Sequence, residues 1–166
     1  MDDTNVIFAG NSKEGLNIEQ PYPIKKGFSE DHRGSVEFYN DLDLSIFKRF
    51  YVVNNPKQGT VRAWHGHKKE GKLIKVTEGS FLVGAIKIDN WDSPSKELEL
   101  ELFEINTNTG LLYIPPQYAN GAMNLVPNSS IMYFSTSHLS ASIKDDYRFE
   151  SKFWDPWTER GGVIFE

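Results

Sequence analysis

The chain has 166 residues, and 18 Lys and Arg against 23 Asp and Glu give a formal net charge of −5. Its length and 39% hydrophobic content are typical of one folded domain and exclude wholesale disorder. The mild acidity excludes the overall basic charge with which proteins bind nucleic acid or anionic membranes. The absence of cysteine excludes a disulfide scaffold, a thiolate metal site and a Cys nucleophile.

Neither a secretion signal nor a membrane span is predicted. Residues 2 and 3 are both Asp, where a signal peptide is basic. The longest wholly apolar run, residues 81–86, is far shorter than the roughly 20 residues that span a bilayer. We therefore expect a soluble cytoplasmic protein with no membrane and no nucleic-acid partner.

In chain order, the sequence opens with a poorly patterned N-terminal arm, residues 1–26, that pairs with another subunit or frays. Alternation of apolar and polar residues follows, most plainly in the Glu-Leu repeat of residues 97–102. Turn signals separate these runs, so we predict an all-β barrel domain over 27–157 and a C-terminal tail over 158–166. The predicted strands are 47–53, 60–64, 72–77, 81–88, 97–102, 111–114 and 131–136, with single helical turns at 42–47 and 139–144.

Two histidines and a lysine form the most informative pattern. His65 and His67 are two residues apart in a predicted strand and so share one face. With Lys72 they follow the spacing Gly-x5-His-x-His-x4-Lys-x6-Gly over residues 59–79, and a second segment, residues 110–124, carries Pro115 and Asn124. These two segments resemble the two motifs of the cupin superfamily, which implies a double-stranded β-helix (jelly-roll) barrel.

Metal-binding cupins place a Glu at the position of Lys72 and a His at the position of Asn120. A cationic Lys repels a divalent metal, and Asn is a poor ligand for the metals that imidazole favours. We therefore expect no metal and no other cofactor. His and Lys together suit removal of a proton next to a carbonyl, with His as base and the ammonium stabilising the enolate oxygen.

The chain also resembles the metal-independent cupins of the dTDP-4-dehydrorhamnose 3,5-epimerase group, from about residue 27 to 157. Residues 31–34, 62–65, 71–73 and 114–121 are similar to four motifs of these enzymes. The resemblance implies that His65 is the base, that Lys72 and Arg62 hold the 4-keto oxygen or the sugar, and that Arg33 contacts the diphosphate. The general acid, a Tyr in that group, corresponds by spacing to His138.

A second group of metal-free cupins, the dTDP-sugar 3,4-ketoisomerases, resembles residues 48–51 and 62–68. That resemblance implies that His65 and His67 shuttle a proton between neighbouring carbons, assisted by Tyr51.

Other residues are candidates for binding the substrate. Asn120 and Tyr118 lie in the second motif, and Trp154 either stacks on a base or sugar ring or buries the C-terminal arm. Strict alternation places Arg62 on the opposite face from His65, unless a β-bulge re-aims it.

Together these features predict an isomerase of a nucleotide-activated 4-keto-deoxysugar that epimerises C3, C5 or both during surface-polysaccharide synthesis. The alternatives are a nucleotide-sugar 3,4-ketoisomerase and a non-catalytic cupin that binds a sugar nucleotide. The expected partner is a nucleotide-diphosphate sugar, and the resemblance implies a homodimer.

Overall fold

The computed structural model describes residues 18–165 and is almost entirely β-sheet. The strands are β1 (Tyr22–Ile24), β2 (Gly27–Asp31), β3 (Gly34–Phe38), β4 (Arg49–Asn55), β5 (Val61–His67), β6 (Lys72–Glu78), β7 (Ser80–Lys87), β8 (Leu100–Asn106), β9 (Leu111–Ile114), β10 (Tyr118–Asn124), β11 (Ser129–Ser135) and β12 (Tyr147–Arg148). The helix α1 spans Leu139–Lys144, and 3-10 turns span Leu44–Ile46 and Thr158–Arg160.

Two five-stranded antiparallel sheets form the barrel. The first has the strand order β1-β9-β6-β11-β4, and the second has the order β12-β5-β10-β7-β8. The chain crosses from one sheet to the other between β4 and β5, β5 and β6, and β6 and β7, and again from β8 through β11. This arrangement is a jelly roll, as the sequence predicts. No helix within residues 18–165 is long and apolar enough to cross a membrane.

The predicted strands are present, with shifted ends and additions. Strand β8 begins at Leu100 rather than at residue 97, and its continuation places Phe103 and Ile105 against the interior. Both predicted helical turns are found, at Leu44–Ile46 and Leu139–Lys144. The sequence did not predict β1, β10 or β12, nor the β2–β3 hairpin, whose two short strands pair with each other.

The ends of the chain pack on the barrel where the structure describes them. In the predicted arm, β1 pairs with β9 of the same chain, and residues 1–17 lie outside the described residues. In the predicted tail, the Val163 amide donates to the Gly59 carbonyl at 2.6 Å, and the Val61 amide donates to the Val163 carbonyl at 3.1 Å. The C-terminal segment is therefore anchored to the start of β5.

Apolar side chains occupy three layers. One cluster fills the space between the sheets, a second covers the outer face of the second sheet, and a third covers part of the outer face of the first sheet. The second cluster explains why β10 is buried on both faces: Trp154 and Trp157, which follow the barrel strands, pack over Trp64 of β5.

Trp154 belongs to this second cluster, so of its two predicted roles it has the one of burying the C-terminal arm, and its candidacy for binding the substrate is corrected. Its side chain is 5% exposed, its indole N–H donates to the Ser95 carbonyl at 3.0 Å, and its own carbonyl accepts from the Trp64 indole at 3.0 Å. We expect Trp154→Ala to lower the free energy of unfolding by about 3–5 kcal/mol through the cavity it leaves. Urea unfolding measures this loss; an unchanged midpoint would contradict a core role.

Candidate active site

A cavity of about 400 Å³ lies between the β4 end of the first sheet and the β12–β5 end of the second. Strands from both sheets, α1 and the segment after it contribute side chains to its wall. The lining residues are Arg49, Tyr51, Val53, Arg62, His65, His67, Lys72, Asn120, Tyr133, Leu139, Ser142, Ile143, Asp146 and Arg148. Six of the ten residues predicted for the site are thus brought together: Tyr51, Arg62, His65, His67, Lys72 and Asn120.

A bulge in β5 places Arg62 and His65 at the same cavity. In the pairing with β10, His65 lies opposite Asn120 and Arg62 lies opposite Ala122. Two residues of β5 therefore face a single residue of β10, which is a β-bulge and reverses the alternation on one side of it. Strict alternation would have placed Arg62 on the opposite face from His65, and this bulge places both on the same face.

The imidazole of His67 is held in one tautomer. Its Nδ1 lies 2.7 Å from the backbone carbonyl oxygen of Asp145. A carbonyl only accepts, so Nδ1 carries the hydrogen and the neutral ring keeps its lone pair on Nε2. The Asp145 carboxylate is fixed in turn, because it accepts from the backbone N–H groups of Lys68 at 3.0 Å and Lys69 at 2.8 Å.

Both histidines are neutral at neutral pH. Burial, followed by the charge of Lys72, lowers the pKa of His67. Burial, followed by the charges of Arg148 and Lys72, lowers the pKa of His65 to about 4. The backbone carbonyl of His65 accepts from Nδ2 of Asn120 at 3.1 Å, which ties β10 to β5 at the cavity. Each ring can therefore accept a proton, and His67 accepts it in a defined orientation.

Lys72 supplies a cation inside the cavity. Burial lowers its pKa to about 8, while the Glu70 carboxylate, 4.0 Å from Nζ, opposes that effect. At pH 7 about nine in ten molecules then carry the ammonium form. A desolvated ammonium stabilises a developing oxyanion more strongly than one in water.

Two stacked tyrosines form another part of the wall. The rings of Tyr51 and Tyr133 lie 5.2 Å apart with an interplanar angle of 14°. Burial, then the charge of Glu70, raises the pKa of Tyr51 to about 12, and burial also raises the pKa of Tyr133. Both hydroxyls stay protonated and can donate a proton. Tyr133 was missed in the sequence, although it lies on the predicted strand 131–136.

Arg148 and Asp146 were also missed as site residues. Strand β12 pairs with β5 and places Arg148 opposite His65. Its Nε donates to both carboxylate oxygens of Asp146, at 2.8 and 2.9 Å. Burial opposes ionisation of Asp146, but this hydrogen bond holds its pKa below the ordinary value. Only the run of carboxylates at 145–146 hinted at a role for this segment.

The cavity wall is positively charged. Among the described residues that line it, Arg49, Arg62, Lys72 and Arg148 are cationic, and Asp146 is the one carboxylate. A wall of this charge attracts an anionic ligand, and guanidinium groups bind phosphate oxygens in a bidentate manner.

The remaining predicted residues lie elsewhere in the described chain. His138 is the exposed N-cap residue of α1, so the spacing argument for it as general acid is corrected; its neighbour Leu139 reaches the cavity instead. Tyr118 is buried in the cluster between the sheets. Arg33 is exposed at the β2–β3 turn, where it pairs with Asp31 at 2.6 Å.

The described residues do not contain a group suited to hold a metal ion. Within residues 18–165, no three His, Asp or Glu side chains come together as a ligand set. The two cavity histidines are accompanied by the cationic Lys72, which disfavours a divalent metal.

A jelly roll whose cationic cavity carries neutral imidazoles, a buried ammonium and protonated tyrosines defines a cupin equipped for acid–base chemistry. The chain belongs to the dTDP-4-dehydrorhamnose 3,5-epimerase family, because the model of that family matches residues 15–153. It is therefore an enzyme of the epimerase and isomerase class, in the group of dTDP-sugar epimerases and ketoisomerases. The predicted family, fold and enzyme class are confirmed.

Solved structures share this fold at low sequence identity. The dTDP-4-dehydrorhamnose 3,5-epimerase of Bacillus anthracis, with TDP and PPi bound, has a TM-score of 0.71 and 20% identity over 90% of this chain and 91% of its own. A QdtA 3,4-ketoisomerase double mutant from Thermoanaerobacterium thermosaccharolyticum, in complex with TDP, has a TM-score of 0.63 and 20% identity over 86% of this chain and 97% of its own. The 3'-monoepimerase ChmJ of Streptomyces bikiniensis, in complex with dTDP-quinovose, has a TM-score of 0.69 and 14% identity over 91% of this chain and 81% of its own. No curated protein matches significantly.

Proposed function

We propose that this enzyme isomerises a nucleotide-activated 4-keto-deoxysugar by exchanging the proton at C3, C5 or both, in surface-polysaccharide synthesis. One observation carries the proposal: a neutral imidazole in a fixed tautomer, His67, lines the same cavity as His65 and the ammonium of Lys72. A base and a cation in one desolvated cavity are what proton removal next to a ketone requires.

The reaction proceeds in two proton transfers. A histidine takes the proton from the carbon next to the ketone, the electron pair moves into a C–C double bond, and the negative charge collects on the ketone oxygen beside Lys72. Tyr51, which burial keeps protonated, then donates its hydroxyl proton to the opposite face of that carbon. The carbon is inverted, and solvent returns the histidine and the tyrosine to their starting forms. Tyr51 thus replaces His138 as the acid.

The substrate is held by its charge. Arg49, Arg62 and Arg148 line the cavity around the catalytic groups, and a diphosphate offers the oxygens that guanidinium groups bind. Structures similar to this chain contain TDP or dTDP-quinovose, which supports a nucleotide-diphosphate sugar as the partner. A cytoplasmic location is part of the same proposal.

The test is proton NMR of a 4-keto-6-deoxyhexose nucleotide incubated with the enzyme in deuterated water. Deuterium at C3 or C5, with the ketone still at C4, is the expected result. Binding of the nucleotide sugar without exchange, across a panel of keto-sugars, would contradict the proposal and favour the non-catalytic binding protein.

A 3,4-ketoisomerase is the second candidate, because Tyr51, His65 and His67 all line one cavity. In that reaction the ketone moves to C3, and the same NMR experiment detects the new product.

Tyr51→Phe is expected to lower turnover by about 10²-fold in either reaction, since it removes the hydroxyl proton and retains the ring stack on Tyr133. Tyr22→Phe, on β1 in the cluster over the outer face of the first sheet, is the matched control. Turnover by Tyr51→Phe equal to that of the control would exclude the Tyr51 hydroxyl from the reaction.

We also infer a homodimer. Phe50 and Val52 of β4 are 63% and 43% exposed, and their direct partners on β11 are Phe134 and Met132. Opposite residues share a face, so these four side chains form an apolar surface that suits a second copy. Sedimentation equilibrium should give twice the 19.0 kDa of one chain, and Phe50→Glu should give the monomer. A monomeric wild-type protein would contradict this inference.

A further inference from the structure

A buried carboxylate next to the cavity has no role in the reaction described so far. Glu70 lies in the short connection between β5 and β6, and its side chain is completely buried. Its Oε1 is 3.5 Å from Nη2 of Arg49 and 4.0 Å from Nζ of Lys72. Within residues 18–165, its Oε2 has no hydrogen-bond partner. One anion therefore lies between two cations that line the cavity.

The same two cations lie at cation–π distance from the stacked tyrosines. The Arg49 guanidinium lies 5.1 Å from the ring centre of Tyr51, and Nζ of Lys72 lies 5.8 Å from that of Tyr133. Arg49 also donates to Oγ of Ser142 on α1 at 2.9 Å. Glu70 therefore lies between the two cations, one of which is close to the ring of Tyr51 and the other to the ring of Tyr133.

Burial of this carboxylate is costly unless it stabilises a buried charge. Arg49 is charged at any working pH, whereas a desolvated lysine readily loses its proton. The group whose ionisation depends on Glu70 is therefore Lys72. The other charged or titratable groups that face Lys72 are Arg49 on β4, His65 and His67 on β5, Tyr133 on β11, Asp146 after α1, and Arg148 on β12.

We propose that Glu70 is a positioning residue that keeps Lys72 in its ammonium form and holds it against the cavity wall. The consequence for catalysis rests on the proposed function, whereas the coupling between Glu70 and Lys72 does not. Attraction by Glu70 opposes the desolvation of Lys72, and Arg49 acts against it. Removing Glu70 should make Lys72 easier to deprotonate, and removing Arg49 should make it harder.

The experiment is an NMR titration of the lysine ε-CH₂ groups in the full chain without substrate, with the Lys72 signal assigned by its loss in Lys72→Met. In Glu70→Gln, the Lys72 midpoint should fall by about one pH unit or more. Glu78→Gln, which removes an exposed carboxylate at the far end of the same strand, should leave it unchanged. An unchanged midpoint in Glu70→Gln would overturn the proposal.

A second variant covers the case in which Glu70→Gln does not fold. Arg49→Met should raise the Lys72 midpoint, and a midpoint that stays or falls would overturn the proposal. Where the sugar nucleotide is turned over, the basic limb of the kcat–pH profile should fall by the same interval in Glu70→Gln. A shifted Lys72 midpoint in an enzyme that exchanges no sugar proton would refute the proposed function and leave the coupling intact.

Discussion

His65→Asn and His67→Asn should each slow deuterium incorporation into the sugar by at least about 10²-fold, since positioned acid–base groups contribute about that much or more. Asparagine keeps a polar side chain of similar reach but has no lone pair that accepts a proton near neutral pH. Binding of the nucleotide sugar should change little, because the cationic side chains of the wall remain. Initial exchange rates by NMR, with Kd from calorimetry, separate the two effects.

The matched control is His138→Asn. His138 is exposed at the start of α1 and does not line the cavity, so the variant should exchange at the wild-type rate. A His67→Asn enzyme with wild-type exchange would exclude the fixed imidazole from the proton path. A His138→Asn enzyme as slow as the cavity variants would contradict the placement of His138 outside the site.

The sequence predicted part of the site from strand geometry and part from the resemblance to known motifs. Residues two apart on a strand share a face, so the spacing of His65 and His67 already placed both rings together. Asn120 was found because it lies in the second motif, and the structure shows that the pairing of β10 with β5 sets it opposite His65. Lys72 is the first residue of the next strand, β6, and comes soon after His67 in the chain. Because His65, His67 and Lys72 are close in sequence, few backbone conformations are possible for the segment that contains them.

The residues that the sequence missed reach the cavity through distant pairing. Arg148 lies 83 positions after His65 in the chain, and only the β12–β5 ladder brings the two together. The run Lys-Lys-Glu at residues 68–70 has the composition of a solvated turn, so nothing in the local sequence indicates that Glu70 is buried. Its carboxylate pairs with Arg49, which comes from β4, 21 positions earlier in the chain. No periodicity within a single segment carries that information.

Trp154 shows why residue type alone leaves a role open. A large aromatic ring suits both a sugar-stacking surface and a buried core. The deciding fact is that the C-terminal segment folds over the outer face of the second sheet and anchors at Gly59. That contact is invisible in the local pattern around Trp154. The same covering layer accounts for the continuous burial of β7 and β10.

Lys72→Met should lower kcat by about 10²–10³-fold, which corresponds to about 3 kcal/mol of lost transition-state stabilisation. The charge on the ketone oxygen exists only after the proton has left the carbon, so the ammonium acts mainly on kcat rather than on substrate binding. Methionine retains most of the aliphatic volume of Lys72. Lys75→Met is the control, because Lys75 lies on the same strand and pairs with Glu37 away from the cavity.

The pH profile supplies a second, independent readout of the same residue. The pKa of Lys72 is lowered to about 8, so the charged form is lost as the pH rises through that value. Wild-type kcat should therefore fall above about pH 8, and Lys72→Met should lose that limb along with most of its rate. The neutral histidines impose the opposite limb, which lies below pH 6.5 because burial lowers the pKa of both rings. If Lys72→Met had wild-type kcat and an unchanged basic limb, another cation of the cavity wall would stabilise the oxyanion. Arg62, on the same face as His65, would be the next residue to replace.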